Sequence, residues 1–226
     1  MGQKVAQGEG LTPRQEEFLA MVRETPYILK KFYLGGGTAL SCWYLHHRES
    51  FDLDFFSEQE EINSAYLFKW LTSLKEKLEI SDIIHEEQFG FNFFTLTYIN
   101  GDKLKIDFSY FPSERIEKGL VWQGLRIDSM YDIAINKFHT ITTSPRGRDY
   151  VDLYLILKQK NYPIEQLIKD AAIKHGIRQG TLQIAKQFLK SVEFSDFPKM
   201  LIPFDKNQMN KFFSDLAKSL EKQIFK

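Results

Sequence analysis

The chain has 226 residues and a mass of 26.6 kDa, with 30 Lys and Arg set against 30 Asp and Glu. A formal net charge of zero excludes a global field that would hold the protein on a polyanion or an anionic membrane, so any nucleotide or nucleic-acid contact must come from a local cluster. Hydrophobic residues at 43%, with 20 Phe among them, are enough for a real core and exclude a disordered chain.

The single cysteine, Cys42, excludes an internal disulfide framework and a thiolate-rich zinc site. Residues 1–10 lack the apolar stretch of a signal peptide, and Ala6 stands where a myristoylation signal requires Ser or Thr. No segment approaches the ~18 uninterrupted apolar residues of a membrane helix. A cytoplasmic protein without membrane contact is expected.

Phe18, Leu19 and Val22 at helical spacing behind Thr12-Pro13 predict a helix over residues 14–24. The run Ile28 to Leu34 reads as a buried strand that ends at Gly35-Gly36-Gly37, where the backbone can turn sharply or approach a ligand. Thr38 to about His47 is helical in pattern. Phe51-Asp52-Leu53-Asp54-Phe55 alternates strictly, so Asp52 and Asp54 project from one strand face. Residues 60–78 return to helical spacing. Three strands follow, near 80–88, 91–99 and 103–111, the last two joined by the hairpin signal Asn100-Gly101. In the third, Lys105 and Asp107 share a face. A short strand near Leu125 to Ile127 precedes Asp128-Ser129 and a helix through Ile133, Ala134, Lys137 and Phe138, and a further helix covers Arg148 to Leu157. Beyond Pro163, helices are expected near 163–175, 179–191 and 205–224, with a modest excess of Lys and Arg. No internal repeat or low-complexity tract interrupts the chain.

The carboxylates carry the chemistry. Two Asp two apart on a strand can bind the same hard cation, and Asp107 from another strand makes three that could converge on one or two Mg2+ ions. That set suits phosphoryl or nucleotidyl transfer. A strand ending in a glycine turn that opens a helix is its complement, offering backbone N–H groups of Gly36 and Gly37 and the Thr38 hydroxyl to a triphosphate. Each piece has a plainer reading. An Asp-x-Asp can be a solvated strand face, a glycine triplet can be only a turn, and no Gly-Lys-Ser/Thr follows to make a P-loop. His46, His47 and His85 lack partners at ligand spacing and are expected to be structural, and Cys42 to lie in the core.

Taken together, the motifs resemble a known family. Gly35-Gly36-Gly37-Thr38-Ala39-Leu40 followed by His47-Arg48-Glu49-Ser50-Phe51-Asp52-Leu53-Asp54-Phe55-Phe56 is similar to the first motif of the AbiEii/AbiGii toxin family of bacterial nucleotidyltransferases, within the DNA polymerase β-like superfamily. Lys105-Ile106-Asp107 resembles the strand that supplies the third carboxylate. Asp132 to Lys137 resembles the helix whose lysine contacts nucleotide phosphates, and Arg146-Gly147-Arg148-Asp149-Tyr150-Val151-Asp152-Leu153 the last motif, Arg-x-Lys-Asp-x-x-Asp-Leu. Arg148 departs from it by standing where a lysine is common, keeping the charge but with a planar guanidinium. The resemblance runs from about residue 34 to 157.

The resemblance implies an α+β fold, a polymerase-β-like mixed sheet with flanking helices over residues 1–125, followed by an α-helical half over 126–226. It implies Asp52, Asp54 and Asp107 as magnesium ligands and catalytic carboxylates, with Lys137 and Asp149 as further catalytic groups. Gly36, Gly37, Thr38, Ser50, Lys137 and Arg148 become nucleotide contacts. The implied reaction moves NMP from an NTP to an RNA, such as a tRNA 3′ end, or to a protein hydroxyl. The implied role is the toxin of a toxin–antitoxin or phage-defence pair, with a separately encoded antitoxin. For Lys137, Asp149 and Asp152 the plainer alternative is ion pairing, and Asp152 could equally be a buried brace. Two rival functions remain open: a catalytically silent module that binds nucleotide or a partner, and a metal-dependent phosphohydrolase.

Overall fold

The helix expected first, α1 (Pro13–Arg23), begins at a closed capping box: the Thr12 hydroxyl accepts the Gln15 N–H at 3.2 Å, and Gln15 Oε1 accepts the Thr12 N–H at 2.9 Å. The computed structural model describes residues 8–58 and 62–220. The strand expected over Ile28 to Leu34 is corrected. Pro26–Lys31 is a short helix, α2, and only Tyr33–Gly35, β1, is strand. Proline at a first helical position needs no N–H and brings a preset φ, while a short apolar run does not distinguish strand from helix by periodicity.

β1 passes directly into α3 (Gly36–Leu40), which widens into a π-helical turn over Ser41–Leu45. β2 is Leu53–Ser57. The helix expected over 60–78 is α4 (Ser64–Ser73), capped by Asn63, whose side chain accepts the Tyr66 N–H; residues 60 and 61 lie outside the described residues. β3 (Ile80–Gln88), β4 (Phe91–Tyr98) and β5 (Lys103–Tyr110) match the expected strands within a residue, and Gly101 takes φ +88° in the foreseen hairpin. A short ribbon, β6 (Val121–Trp122) and β7 (Leu125–Arg126), precedes α5 (Met130–Thr143) and α6 (Gly147–Lys160). The remaining helices are α7 (Ile164–His175), α8 (Thr181–Leu189) with a 3-10 turn after it, and α9 (Lys206–Ser219); positions 221–224 of the last expected helix lie outside the described residues.

These elements form two units. The first holds described residues 8–44, 50–58, 62–114 and 118–129; the second holds 45–49, 115–117 and 130–220. In the first, five strands run in the order β1-β2-β5-β4-β3, with β2 and β5 parallel and the other pairs antiparallel. Its core lies on one face of this sheet. Phe108 of β5 stacks on Phe55 of β2 at 5.1 Å and meets Phe32, Trp70 and Phe94 edge-on, while Phe18 of α1 packs against Phe55 and Trp70. Burying these aromatics against helices fixes which strand face is left for polar residues.

The second unit is helical. Its core gathers Phe138, Tyr150, Phe188 and Phe213, and the Tyr150 hydroxyl donates to the Gln187 carbonyl at 2.6 Å. Arg48 bridges Met200 in backbone pairing, tying the 45–49 segment to the loop before α9.

Candidate functional site

In β2, Leu53, Phe55 and Ser57 are buried and Asp54 and Phe56 are half-buried, as strict alternation requires. The parallel pairing with β5 sets Asp54 directly beside Asp107. Register partners on adjacent strands share a sheet face and lie about 4.8 Å apart in the backbone, so the two carboxylates emerge side by side. Both stand opposite the aromatic core. Asp52 sits one residue before the strand and is half-buried.

The glycine turn closes over this pair. Gly35 is the register partner of Asp54 on the other side. Gly36 has φ +68°, and a Cβ there would fall 1.9 Å from Asp54 Oδ2. Only a residue without a side chain allows the turn to lie against that carboxylate. Gly37 is buried at the start of α3. Thr38 is fully buried, and its hydroxyl donates to the Asp52 carbonyl and lies 2.9 Å from Ser50 Oγ. Gln15 Nε2 donates to the Ser50 carbonyl at 3.1 Å. Thr38 therefore braces the segment that carries Asp52, and any donor it offers outward is its backbone N–H. Asp128, fully buried, brings its Oδ2 to where a Cβ on Gly35 would meet it at 3.5 Å.

A magnesium ion fits the donor chemistry of this edge. Magnesium is held by one or two carboxylates together with substrate phosphates and water, so adjacent Asp54 and Asp107 supply the hard oxygens it requires. Among the described residues no three His, Cys, Asp or Glu side chains stand gathered as a complete metal cage. Like charges crowd together only at a cost that a cation removes. Because Gly36 carries no Cβ, the backbone of the turn lies directly against the rim of Asp54.

The second unit holds the other motif residues in a buried ionic network. Lys137 of α5 is 8% exposed and gives its ammonium to Asp149 Oδ1 and Asp152 Oδ2 of α6, each at 2.8 Å. Asp149 Oδ2 accepts the Arg146 N–H and Nε, both at 3.2 Å. Asp152 is the hub: Arg48 binds it through two nitrogens at 2.7 and 2.9 Å, and His47 Nε2 lies 2.8 Å away. Burial raises both carboxyl pKa values, but the Lys137 charge, with Arg146 for Asp149 and Arg48 for Asp152, outweighs it and holds both below the ordinary range, Asp152 well below. Burial lowers the His47 pKa, so its ring is neutral at pH 7. Arg148 stands half-buried in the first turn of α6.

Asp132, at the head of the lysine-bearing helix, is a structural brace. It accepts the Ile116 and Glu117 N–H groups at 2.9 Å and pairs with Lys174 at 2.6 Å, all within the second unit. Sequence reading missed Arg48, Lys174 and Asp128 as partners. Arg48 meets Asp152 across 104 residues, a separation no local spacing encodes.

A family model described as nucleotidyl transferase AbiEii toxin, type IV toxin–antitoxin system, matches residues 19–224. The chain belongs to this family. The motifs that carried the resemblance thus sit in a member of the AbiEii nucleotidyltransferase toxin family, and the expected α+β fold with a mixed sheet is the one observed. Two solved Helicobacter pylori proteins share that fold with this AbiEii member. One is JHP933, at 18% identity and TM-score 0.56, covering 96% of this chain and 94% of its own. The other is described as a candidate nucleotidyltransferase, at 18% identity and TM-score 0.58, with 94% and 97% coverage. A search of curated proteins finds no significant match. Among the described residues no helix is long and apolar enough to cross a membrane.

Proposed function

We propose that this AbiEii family member is a magnesium-dependent nucleotidyltransferase that moves NMP from an NTP to a hydroxyl of an RNA, such as a tRNA 3′ end, or of a protein. It would act in the cytoplasm as the toxin of a toxin–antitoxin or phage-defence pair, opposed by a separately encoded antitoxin. The observation that carries the reading is the parallel register of Asp54 and Asp107 beneath a glycine turn that leaves no room for a Cβ.

Asp52, Asp54 and Asp107 would hold the magnesium, which when bound supplies charge neutralisation and polarisation at the phosphates. The backbone N–H groups of Gly36, Gly37 and Thr38 donate to phosphate oxygens, and Ser50 keeps the adjoining loop in register. Asp107 accepts the proton of the acceptor hydroxyl. That oxygen then bonds to the α-phosphorus, and the bond to pyrophosphate breaks. The family resemblance assigns Lys137 and Arg148 to the nucleotide as well, and within the second unit Asp149 and Asp152 orient the Lys137 ammonium.

The test is incubation of the full chain with each of the four labelled triphosphates, magnesium, total RNA and cell lysate. Label should move to one macromolecular acceptor with release of pyrophosphate, and Asp107→Asn should slow transfer at least ~100-fold, the ordinary contribution of a positioned base. Release of inorganic phosphate without transfer would instead establish a hydrolase. Absence of transfer and hydrolysis with every acceptor, alongside intact nucleotide binding, would establish a silent binding module.

A further inference from the structure

Beyond Asp107 the polar face of the first unit's sheet continues across β4 and β3, and its residues are not those of a solvated edge. Reading across the register, Phe93 is the direct partner of Asp107 and Phe91 of Ser109, so both phenylalanines share the face of Asp54 and Asp107. Their rings are near-parallel, 9° apart in plane, with centroids separated by 6.2 Å. Phe91 is 38% exposed, and Ile84, on the same face, is 49% exposed. At the tip of the β3–β4 hairpin Phe89 is 92% exposed, and it holds φ +50° in a two-residue turn with Gly90 at φ +80°. Such turns ordinarily take Asn-Gly or Asp-Gly, because a bulky residue is disfavoured in the left-handed region. An aromatic ring kept in water at the strained hairpin tip thus heads a strand on which Phe91 and Phe93 lead along one face to Asp107.

The charges beside the rings favour one class of occupant. Lys103 and Lys105 are exposed on β5 and, by alternation, share the face of Asp107; they are partners of Thr97 and Thr95 of β4. On the far side β3 presents Asp82 and Glu86 on this face, which repel phosphates and confine a polyanion to the lysine side. Alternate residues of a strand are about 6.6–6.8 Å apart. That spacing matches two bases of a nucleic-acid strand at about 3.4 Å each, so successive rings can receive alternate bases. An apolar protein partner would need a patch depleted of charge at its centre, and this one is flanked by four charged side chains.

We propose that Phe89, Phe91 and Phe93, with Lys103 and Lys105 beside them, form a stacking platform that leads the single-stranded end of a nucleic-acid acceptor to Asp107. The inference rests on the proposed nucleotidyl transfer and selects its acceptor class. Bases stack on the rings without hydrogen-bond readout, the two lysines follow the backbone, and the terminal hydroxyl arrives at the carboxylate edge beside Phe93.

The test is fluorescence anisotropy of the full chain with a labelled single-stranded RNA of about ten nucleotides, within the span such surfaces bind, with magnesium and no triphosphate. Phe89→Ala and Phe91→Ala should each weaken binding by about five- to a hundredfold, while Phe91→Tyr keeps it near wild type. Lys105→Gln should reduce the slope of log affinity against log salt by about 0.7. Phe89 is so exposed that its removal leaves the fold intact, and circular dichroism checks each variant. Wild-type affinity in both alanine variants, equal competition by duplex RNA, or no binding of single strands by the wild type would overturn the platform. So would label transfer to a protein at a rate unchanged by Phe91→Ala. Ring-dependent RNA binding without any transfer would sink the transferase reading and leave the platform standing. Transfer with ring-independent binding would do the reverse.

Discussion

Gly36→Ala separates the two reasons for a glycine at that position. The first is backbone: at φ +68° a residue with a Cβ costs about 1–2 kcal/mol. The second is contact. The new methyl would lie 1.9 Å from Asp54 Oδ2, 2.6 Å from its Cγ and 2.9 Å from its Cβ, against an ordinary contact of at least 3.4 Å. Rotation of the carboxylate can clear the oxygen, which must retreat by about 1.5 Å, the difference between 3.4 and 1.9 Å. Rotation does not move the Asp54 Cβ, so the turn and β2 must part by about 0.5 Å as well, the difference between 3.4 and 2.9 Å. Gly101→Ala is the matched control, because Gly101 has φ +88° and nothing within 4 Å of its would-be Cβ. Gly101→Ala should lose about 1–2 kcal/mol in urea unfolding, and Gly36→Ala at least as much because the contact adds to the backbone cost. Only Gly36→Ala should lose nucleotidyl transfer, by ~100-fold or more, since an ångström of misplacement at a reacting group costs that much. Equal transfer by the two variants would refute the argument that the turn positions Asp54.

Asp152→Asn keeps the shape of the hub but strips the counter-charge from buried Arg48 and Lys137, and urea unfolding should show a loss of about 3–5 kcal/mol; a loss below ~1 kcal/mol would mean the network is not a brace. Thr38→Val removes the hydroxyl that holds the Asp52 carbonyl and should cost about 1–3 kcal/mol, while Thr38→Ser should retain most of it, both read from the thermal midpoint. Acid titration of stability divides by sign. Asp149 and Asp152 have depressed folded pKa values, so their contribution is whole above the unfolded value of about 3.9 and is lost only as pH falls below it toward those values. His175, stacked on His139 at 3.7 Å, is pushed down to about 3 by burial and by the His139 and Lys174 charges, so the unfolded chain binds the extra proton and stability falls as pH drops from about 6.5 to 3. His175→Gln should flatten that part of the curve by up to one proton and change nothing at pH 8; an unaltered slope would contradict the assignment.

Much of the molecule was legible in local pattern. Period-two alternation marked β2 and β5 and the face from which Asp54 and Asp107 project, because a strand's side chains alternate whatever it pairs with. Asn100-Gly101 marked its hairpin, and Thr12-Pro13 the first helix start, because turns and caps depend on residues within three or four positions. The motif order was enough to indicate the family. Pairing partners were not legible. α4, β3 and β4 lie between β2 and β5 in sequence, and it is the parallel register of these two distant strands that brings Asp54 to Asp107. The same holds for Pro26–Lys31, where proline at the helix start and burial of Ile28 prevail over an apolar run that reads equally as strand. Asp152 read equally as a motif residue or a buried brace, and only the structure shows Arg48, His47 and Lys137 closed around it. A charge removed from water must find its counter-charge wherever packing brings one, and that choice belongs to the tertiary structure alone.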